Sequence, residues 1–109
     1  MNSPAAAASV THMEQLISSA KFRHQAGECI TRAARGETFV ILLYGRPVAV
    51  LRPRAEGEAY ESLTTTAVWR DLRRVLARAR REPVLITWYS DALAVLAPVP
   101  AGWRRGDES

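Results

Sequence analysis

Few side chains in this sequence are of the types that usually carry out chemistry. There are two histidines, His12 and His24, and a single cysteine, Cys29. Neither histidine has carboxylates or cysteines clustered around it, and Cys29 has no partner at a metal-ligand spacing. Phosphate-binding loops and nucleophile elbows are also missing from the sequence. The sequence therefore predicts a protein that is not an enzyme and has no cofactor or metal, with Cys29 as a small core residue.

For two other groups of residues, a chemical role and a structural role are both conceivable. Glu37 and Glu82 begin two similar segments and invite comparison with paired catalytic carboxylates, but solvated acids at strand ends are the favoured interpretation. The aromatic residues Tyr44, Trp88 and Tyr89 have the side chains that stack on unpaired bases in single-strand-binding proteins. Packing in the core or in a dimer interface is the favoured interpretation for these three.

The arginines give the strongest indication of a binding partner. The net charge is +4, and every basic residue except Lys21 is an arginine. A modest basic excess permits nucleic-acid binding without demonstrating it. One basic stripe lies within residues 70–81, on a predicted helix: Arg70, Arg73, Arg74, Arg78 and Arg81. This stripe is either a solvated helix face or a set of phosphate contacts, and the sequence leaves both open.

A second basic group begins a helix of its own. The helix predicted after Ser19 carries Lys21, Arg23 and His24 near its first turn, where free N–H groups and the helix dipole favour phosphate. The candidate DNA-binding residues are therefore Lys21, Arg23, His24, Arg70, Arg73 and Arg74.

The elements that must position these residues are organised around a repeated segment. Residues Glu37–Pro53 recur 45 positions later as Glu82–Pro98, with seven identities in 17 positions. Each copy is typical of a β-hairpin with apolar residues on both faces. In the first copy, Gly45-Arg46 is predicted to form a type II′ turn, with Pro47 opening the return strand. Ser90-Asp91 is the corresponding turn in the second copy.

A strand and a helix are predicted before each hairpin. His12–Ile17 favours a strand, Ser18 or Ser19 an N-cap, Gly27 a bend and Gly36 a C′ cap. The buried face of this first helix is expected to contain Phe22, Ala26, Ile30 and Ala33 or Ala34. Residues 63–70 match residues 16–23 at an offset of 47, which equates Trp69 with Phe22 and makes Thr65 or Thr66 the N-cap. The apolar face of the second helix would then be Trp69, Leu72, Leu76 and Ala79.

These elements predict one compact α+β fold. With 109 residues the chain has enough material for one core. The expected divisions are a disordered leader at 1–11, a module at 12–53, a linker at 54–61, a degenerate second module at 62–98 and a tail at 99–109. We expect the two strand–helix–hairpin repeats to pack as a pseudo-twofold unit, with an antiparallel sheet flanked by helices. No signal-peptide or membrane-spanning pattern is evident, so a cytoplasmic protein with no membrane partner is expected.

Residues 13–61 resemble the Phd/YefM (prevent-host-death) antitoxin family. The resemblance lies in a capped F-R helix followed by A-x-G-E and V-I-x-x-x-G-x-P-V-A-V-L-x-P. The matching residues are Ser19, Phe22, Arg23, Gly36, Glu37, Val40, Ile41, Gly45, Pro47, Val48, Ala49, Val50, Leu51 and Pro53. The resemblance implies a small α/β dimer whose N-terminal part binds operator DNA and represses its own operon. It also implies a C-terminal segment that wraps a partner toxin, often a ribonuclease.

The chain departs from the family pattern in two places. Leu42, Leu43 and Tyr44 stand where many members have a basic residue on the first hairpin strand. A second copy of the module takes the place of the acidic toxin-binding segment. The sequence therefore favours a DNA-binding, antitoxin-like repressor with operator DNA, a cognate toxin and a second copy of the chain as expected partners. The alternative is an assembly module that kept the fold and lost operator binding.

Overall fold

The computed structural model describes residues 14–88 and 91–103. The leader, residues 12 and 13 of the predicted first strand, and Tyr89 and Ser90 of the second hairpin lie outside the described residues. The elements are β1 (Glu14–Ser18), α1 (Ser19–Ala34), β2 (Thr38–Leu43), β3 (Arg46–Pro53), β4 (Ser62–Thr64), α2 (Thr65–Arg70), α3 (Leu72–Ala79), β5 (Val84–Trp88) and β6 (Asp91–Ala97). None of the helices in the described part is long and apolar enough to cross a membrane.

The six strands form one mixed sheet in the order β1-β2-β3-β6-β5-β4. The two outer pairs, β1 with β2 and β4 with β5, are parallel, and the inner pairs are antiparallel. The expectation of an antiparallel sheet is therefore wrong at both edges. The reason is that a helical segment connects each outer strand to its neighbour. Such a crossover connection makes the two strands run parallel.

The two hairpins have the same strand register. In the first, Phe39 pairs with Leu51, and the register shifts after Ile41. In the second, Val84 pairs with Leu96, and the register shifts after Ile86. Every pair and the irregularity recur at the offset of 45 seen in the sequence. The hairpins meet along β3 and β6, where Leu51 pairs with Leu96.

The helices of the described residues pack on one face of the sheet. A single cluster joins Ile41, Leu51, Ile86 and Leu96 of the sheet to buried residues of all three helices. The opposite face carries Val40, Val50 and Val95, which are also buried. Since Arg52 pairs with Val95 across the strands, its side chain leaves from that same opposite face. The sheet is thus apolar on both faces, and within residues 14–88 and 91–103 the helices cover one of them.

Helix α1 begins and ends largely as its sequence predicts. Ser18 is the N-cap, and its Oγ accepts a hydrogen bond from the Lys21 N–H at 3.1 Å. The helix ends in a Schellman arrangement, in which Gly36 has φ +119° and its N–H donates to the carbonyl of Ala33. The bend lies at Gln25 (φ −120°, ψ 22°), two residues before the glycine expected to cause it. The buried residues of α1 are Phe22, Ala26, Cys29, Ile30 and Ala33.

The second helical region differs from its prediction in three respects. Thr64, and not Thr65 or Thr66, is the N-cap, and its Oγ accepts from the Ala67 N–H at 3.1 Å. The region is broken into α2 and α3 at Asp71 (φ −146°, ψ 63°). Val68 is fully buried, whereas Trp69 is 57% exposed. Trp69 therefore does not replace Phe22 in the core, and the correct offset between the helices is 46, which equates Phe22 with Val68.

The indole of Trp69 in α2 lies against Gly27 of α1. A Cβ built on Gly27 would stand 3.2 Å from Cζ2 of the Trp69 indole. The glycine in α1 thus makes room for an aromatic ring of the second half.

The linker and the described part of the tail both make side-chain contacts. In the linker, Glu58 accepts hydrogen bonds from the Arg52 guanidinium at 2.8 and 2.7 Å and from the Tyr60 hydroxyl at 2.7 Å. In the tail, the indole N–H of Trp103 donates to Glu14 of β1 at 3.2 Å. These contacts connect both segments to strands of the sheet.

Candidate functional site

A cleft of about 850 Å³ opens where α1, α3 and the tip of the β2–β3 hairpin meet. Its lining residues are Ser18, Ser19, Ala20, Arg23, His24, Leu42, Leu43, Tyr44, Gly45, Val48, Leu72, Arg73, Leu76, Ala77 and Arg80. They come from both halves of the chain, so neither half provides this cleft alone.

The basic side chains of the cleft are three arginines and one histidine, and the arginines carry its fixed positive charge. Arg23 and His24 extend from α1, and Arg73 and Arg80 from α3 and its C-cap. No acidic residue lines the cleft, and within residues 14–88 and 91–103 none of these four side chains makes an ion pair. Like charges held around one cavity repel each other, and a bound anion would relieve that repulsion.

Three other arginines form ion pairs with acidic residues of the fold. Arg32 pairs with Glu37, Arg52 with Glu58, and Arg78 with Glu61 and Glu82. Arg23, Arg73 and Arg80 of the cleft therefore differ from the arginines that are tied to acids within the fold. Exposed arginines outside the cleft, such as Arg35 and Arg70, also make no ion pair among the described residues.

The N-terminus of α1 adds to the positive potential of the cleft. Ser18 and Ser19 line it, and the first turn of the helix contains no acidic residue. Of the free N–H groups of this turn, that of Lys21 is satisfied by Oγ of Ser18. The remaining N–H dipoles favour an anion in this region.

The structure brings together three of the six predicted site residues. Arg23, His24 and Arg73 line the cleft. The other three are exposed but do not line it: Lys21, Arg70 and Arg74. Arg74 pairs with Asp71 at 3.3 Å, and both side chains are largely exposed, so this pair restrains Arg74 only weakly.

Arg80 is the cleft residue that the sequence did not single out. It is the C-cap of α3, and its neighbours Arg78 and Arg81 were placed on the predicted basic face. The break at Asp71 separates α3 from α2, so the axis of α3 does not continue that of α2. A helical wheel drawn over one unbroken helix does not represent this change of direction. A basic residue at the end of a helix was the only available signal.

The floor of the cleft is apolar. Val48, Leu72 and Leu76 are at least 93% buried, and each contributes to the lining. Leu42 is half-buried and Leu43 is 39% exposed at the hairpin end of the cleft. The cleft therefore combines a basic rim with an apolar interior.

The hairpin tip differs from its predicted geometry. The two residues between β2 and β3 are Tyr44 and Gly45, with φ of 53° and 77°. Positive φ at both positions is typical of a type I′ turn. The predicted type II′ turn at Gly45-Arg46 is therefore wrong in type, and its position is wrong by one residue. Of the second predicted turn, Asp91 lies in β6, while Ser90 is outside the described residues.

The aromatic residues do not pack in the core as expected. Tyr44 is 94% exposed at the rim of the cleft, and Trp88 is 50% exposed. A core role is therefore wrong for Tyr44, while a role in stacking or in a dimer interface stays a prediction. Tyr89 lies outside the described residues.

The remaining candidate chemical groups have structural surroundings. Burial raises the pKa of the Cys29 thiol, which makes the thiolate scarcer and the side chain less reactive. Hydrogen bonds from Arg32 and Gln15 lower the pKa of Glu37. Glu37 bonds Arg32 and Glu82 bonds Arg78, so the two carboxylates serve separate ion pairs. Among the described residues, no three His, Cys, Asp or Glu side chains come together as a metal site would require.

Comparisons with protein-family models, with curated proteins and with solved structures find no match to this chain. The geometry of the cleft and the sequence resemblance are therefore the basis for a functional assignment.

Proposed function

We propose that this protein is a DNA-binding, antitoxin-like transcriptional repressor that binds the phosphate backbone through the basic rim of the cleft. The observation that carries the proposal is the convergence of Arg23, His24, Arg73 and Arg80 on one surface without an acidic neighbour among the lining residues. Arginine cations that have no acidic partner in the fold are the groups that phosphate neutralises, with release of counterions. The resemblance of residues 13–61 to Phd/YefM antitoxins supports operator DNA as the partner. Catalysis is not part of the proposed role.

The proposal includes a pseudo-twofold arrangement of two duplicated modules. It is supported by the matching hairpin registers at an offset of 45 and by the pairing of Leu51 with its counterpart Leu96. It is also supported by the helices, whose buried residues correspond at an offset of 46: Phe22 and Val68, Ala26 and Leu72, Cys29 and Val75, Ile30 and Leu76, Ala33 and Ala79. One chain would then provide the two helical faces that a dimer of single modules provides.

The test is the salt dependence of binding to the DNA upstream of the protein's own reading frame. Arg23→Gln, Arg73→Gln and Arg80→Gln should each weaken binding and reduce the slope of log K against log salt by about 1. The loss should be similar on operator and random duplexes, because phosphate contacts carry no sequence information.

Arg35→Gln is the matched control. Arg35 is an exposed arginine at the opposite end of α1, about 18 Å along the axis from Arg23. Its replacement should leave the slope unchanged. An unchanged slope in the triple Arg23, Arg73 and Arg80 variant would overturn the DNA proposal.

The second candidate function, a protein-interaction module, is favoured by the hairpin tip. Leu43 and Tyr44 expose apolar surface there, and Tyr44 is almost fully exposed. A toxin or a second copy of the chain would be the partner in this case. Under that function, Tyr44→Ala abolishes complex formation while the arginine replacements leave the salt slope on DNA unchanged.

A further inference from the structure

The interior of the cleft is not shaped like a surface for duplex DNA. Phosphate-binding surfaces need exposed cations, but they do not need an apolar cavity behind them. Here Val48, Leu72 and Leu76 form the floor of a volume of about 850 Å³. That volume is within the range of pockets for small organic ligands, which are mostly apolar with a few convergent polar groups.

The polar groups of the cleft specify the charge of such a ligand. Arg73 and Arg80 lie on the same helical region as Leu72 and Leu76, so the basic rim and the apolar floor are adjacent. Arg23 and His24 approach from α1. The three arginines among the lining residues are hydrogen-bond donors only, and guanidinium groups match oxyanions in geometry and charge.

We propose that the cleft is a binding site for a small amphiphilic anion, with its oxyanion head held by Arg73, Arg80 and Arg23 and its apolar body on Val48, Leu72 and Leu76. The ligand class is a medium-length carboxylate or phosphate monoester. Free phosphate lacks the apolar body and binds weakly, and an uncharged chain lacks the head. This site goes beyond the proposed function, because a small ligand is part of neither the DNA proposal nor the interaction alternative.

The experiment is calorimetric titration of the full chain with four probes: decanoate, decyl phosphate and decylammonium below their micelle concentrations, and decan-1-ol below its solubility limit. No DNA is present, so the result is independent of the proposed function. Decanoate and decyl phosphate should bind one molecule per chain and saturate. Decan-1-ol and decylammonium should bind at least about 10-fold more weakly, since they lose the charge-assisted hydrogen bonds.

Two variants locate the site. Arg73→Gln/Arg80→Gln should weaken decanoate binding by about 10-fold or more. Ala77→Phe should block it by filling the cavity, and it should fold normally because Ala77 is exposed on α3. Circular dichroism and the thermal midpoint check that both variants are folded. Arg35→Gln, at the far end of α1, should bind decanoate as the wild type does.

Four results would overturn the site. The first is equal binding of decanoate and decylammonium, and the second is non-saturating uptake of several molecules per chain. The third is wild-type affinity in both folded variants. The fourth is an equal loss of affinity in Arg35→Gln, which would indicate only a general effect of net charge.

Discussion

At the residue scale, both residues of the β2–β3 turn have positive φ, which strains Tyr44 but suits Gly45. Tyr44 has φ of 53°, in the left-handed region that bulky side chains rarely adopt, and Gly45 follows at 77°. Backbone strain of this type often marks a functional position, and Tyr44 stands at the rim of the basic cleft. Its exposure means that contacts within the described part of the fold do little to compensate the strain.

Replacing either residue of this turn should change stability, with opposite signs. Tyr44→Asn creates the Asn-Gly pair preferred in type I′ turns and should stabilise the protein by about 1 kcal/mol. Gly45→Val should destabilise it by about 1–3 kcal/mol, because a β-branched residue is strained at positive φ. Urea unfolding midpoints measure both. A destabilised Tyr44→Asn variant would mean that Tyr44 makes contacts that outweigh its strain.

Glu58 gives the fold a dependence on pH. Hydrogen bonds from Arg52, and then from Tyr60 and the Ala55 N–H, hold the pKa of Glu58 well below its ordinary value of about 4.3. The folded chain therefore keeps this carboxylate ionised at a pH where the unfolded chain takes up a proton. The stabilisation is present above about pH 4.3 and is lost as the pH falls toward the lowered pKa.

Glu58→Gln should remove that dependence. At pH 7 the variant should be less stable than the wild type by about 1–2 kcal/mol, because the ion pair with Arg52 is lost and a neutral amide replaces the carboxylate acceptor. The difference should shrink as the pH is lowered from 5 to 3. Glu56→Gln, at an exposed position of the same linker, is the control and should show no such trend. Parallel stability curves for wild type and Glu58→Gln would contradict the assignment.

At the element scale, the two helical regions bend at corresponding positions for reasons beyond glycine. Gln25 in α1 and Asp71 between α2 and α3 are 46 positions apart, and both leave helical φ and ψ. The bend is mild at Gln25 and a full break at Asp71. Gly27 has a different role, since its missing side chain admits the indole of Trp69.

A double-mutant cycle tests this helix–helix contact. In the Trp69→Ala background, Gly27→Ala should stabilise the protein by about 1 kcal/mol, the ordinary helix-propensity difference. In the wild type the gain should be smaller, because the added Cβ stands 3.2 Å from the indole, which must shift. The coupling energy of the cycle measures the contact. Equal gains in both backgrounds would mean that the indole moves aside without cost.

At the scale of the whole molecule, the two halves share one core. The central strands β3 and β6 pair with each other, and the buried cluster contains residues from both halves. A chain that buries its apolar surface in one cluster should unfold in one transition.

The distribution of tryptophans allows cooperativity to be measured. All three tryptophans lie in the second half, at 69, 88 and 103, while the longest helix lies in the first. Ile30→Val in α1 should cost about 0.5–1.5 kcal/mol. Tryptophan fluorescence and far-ultraviolet circular dichroism should report the same lowered midpoint. A fluorescence transition that stays at the wild-type midpoint would show that the halves unfold separately.

The sequence by itself determined the hairpins, the first helix and the repeat. β-Rich apolar runs, Ser18 and Gly36 act through neighbours in the chain, so local pattern was enough to place β2, β3 and the ends of α1. Helix position and charge are also local properties, so the sequence could name Arg23, His24 and Arg73, which line the cleft, but could not separate them from Lys21, Arg70 and Arg74, which do not.

Only the tertiary structure decided the alignment of the second helix, the direction of the outer strands and the shape of the cleft. By residue type alone, Trp69 is the natural match for Phe22. In the structure, Leu63 of β4 pairs with Ile86 of β5, and this register shifts the second helical region by one residue relative to that match. Val68 is therefore the residue that is buried. The break at Asp71 then orients α3, bringing Arg80 and the leucine floor to face α1. These features depend on contacts between segments that are far apart in the sequence. The free energy of such contacts cannot be read from the spacing of residues within one segment.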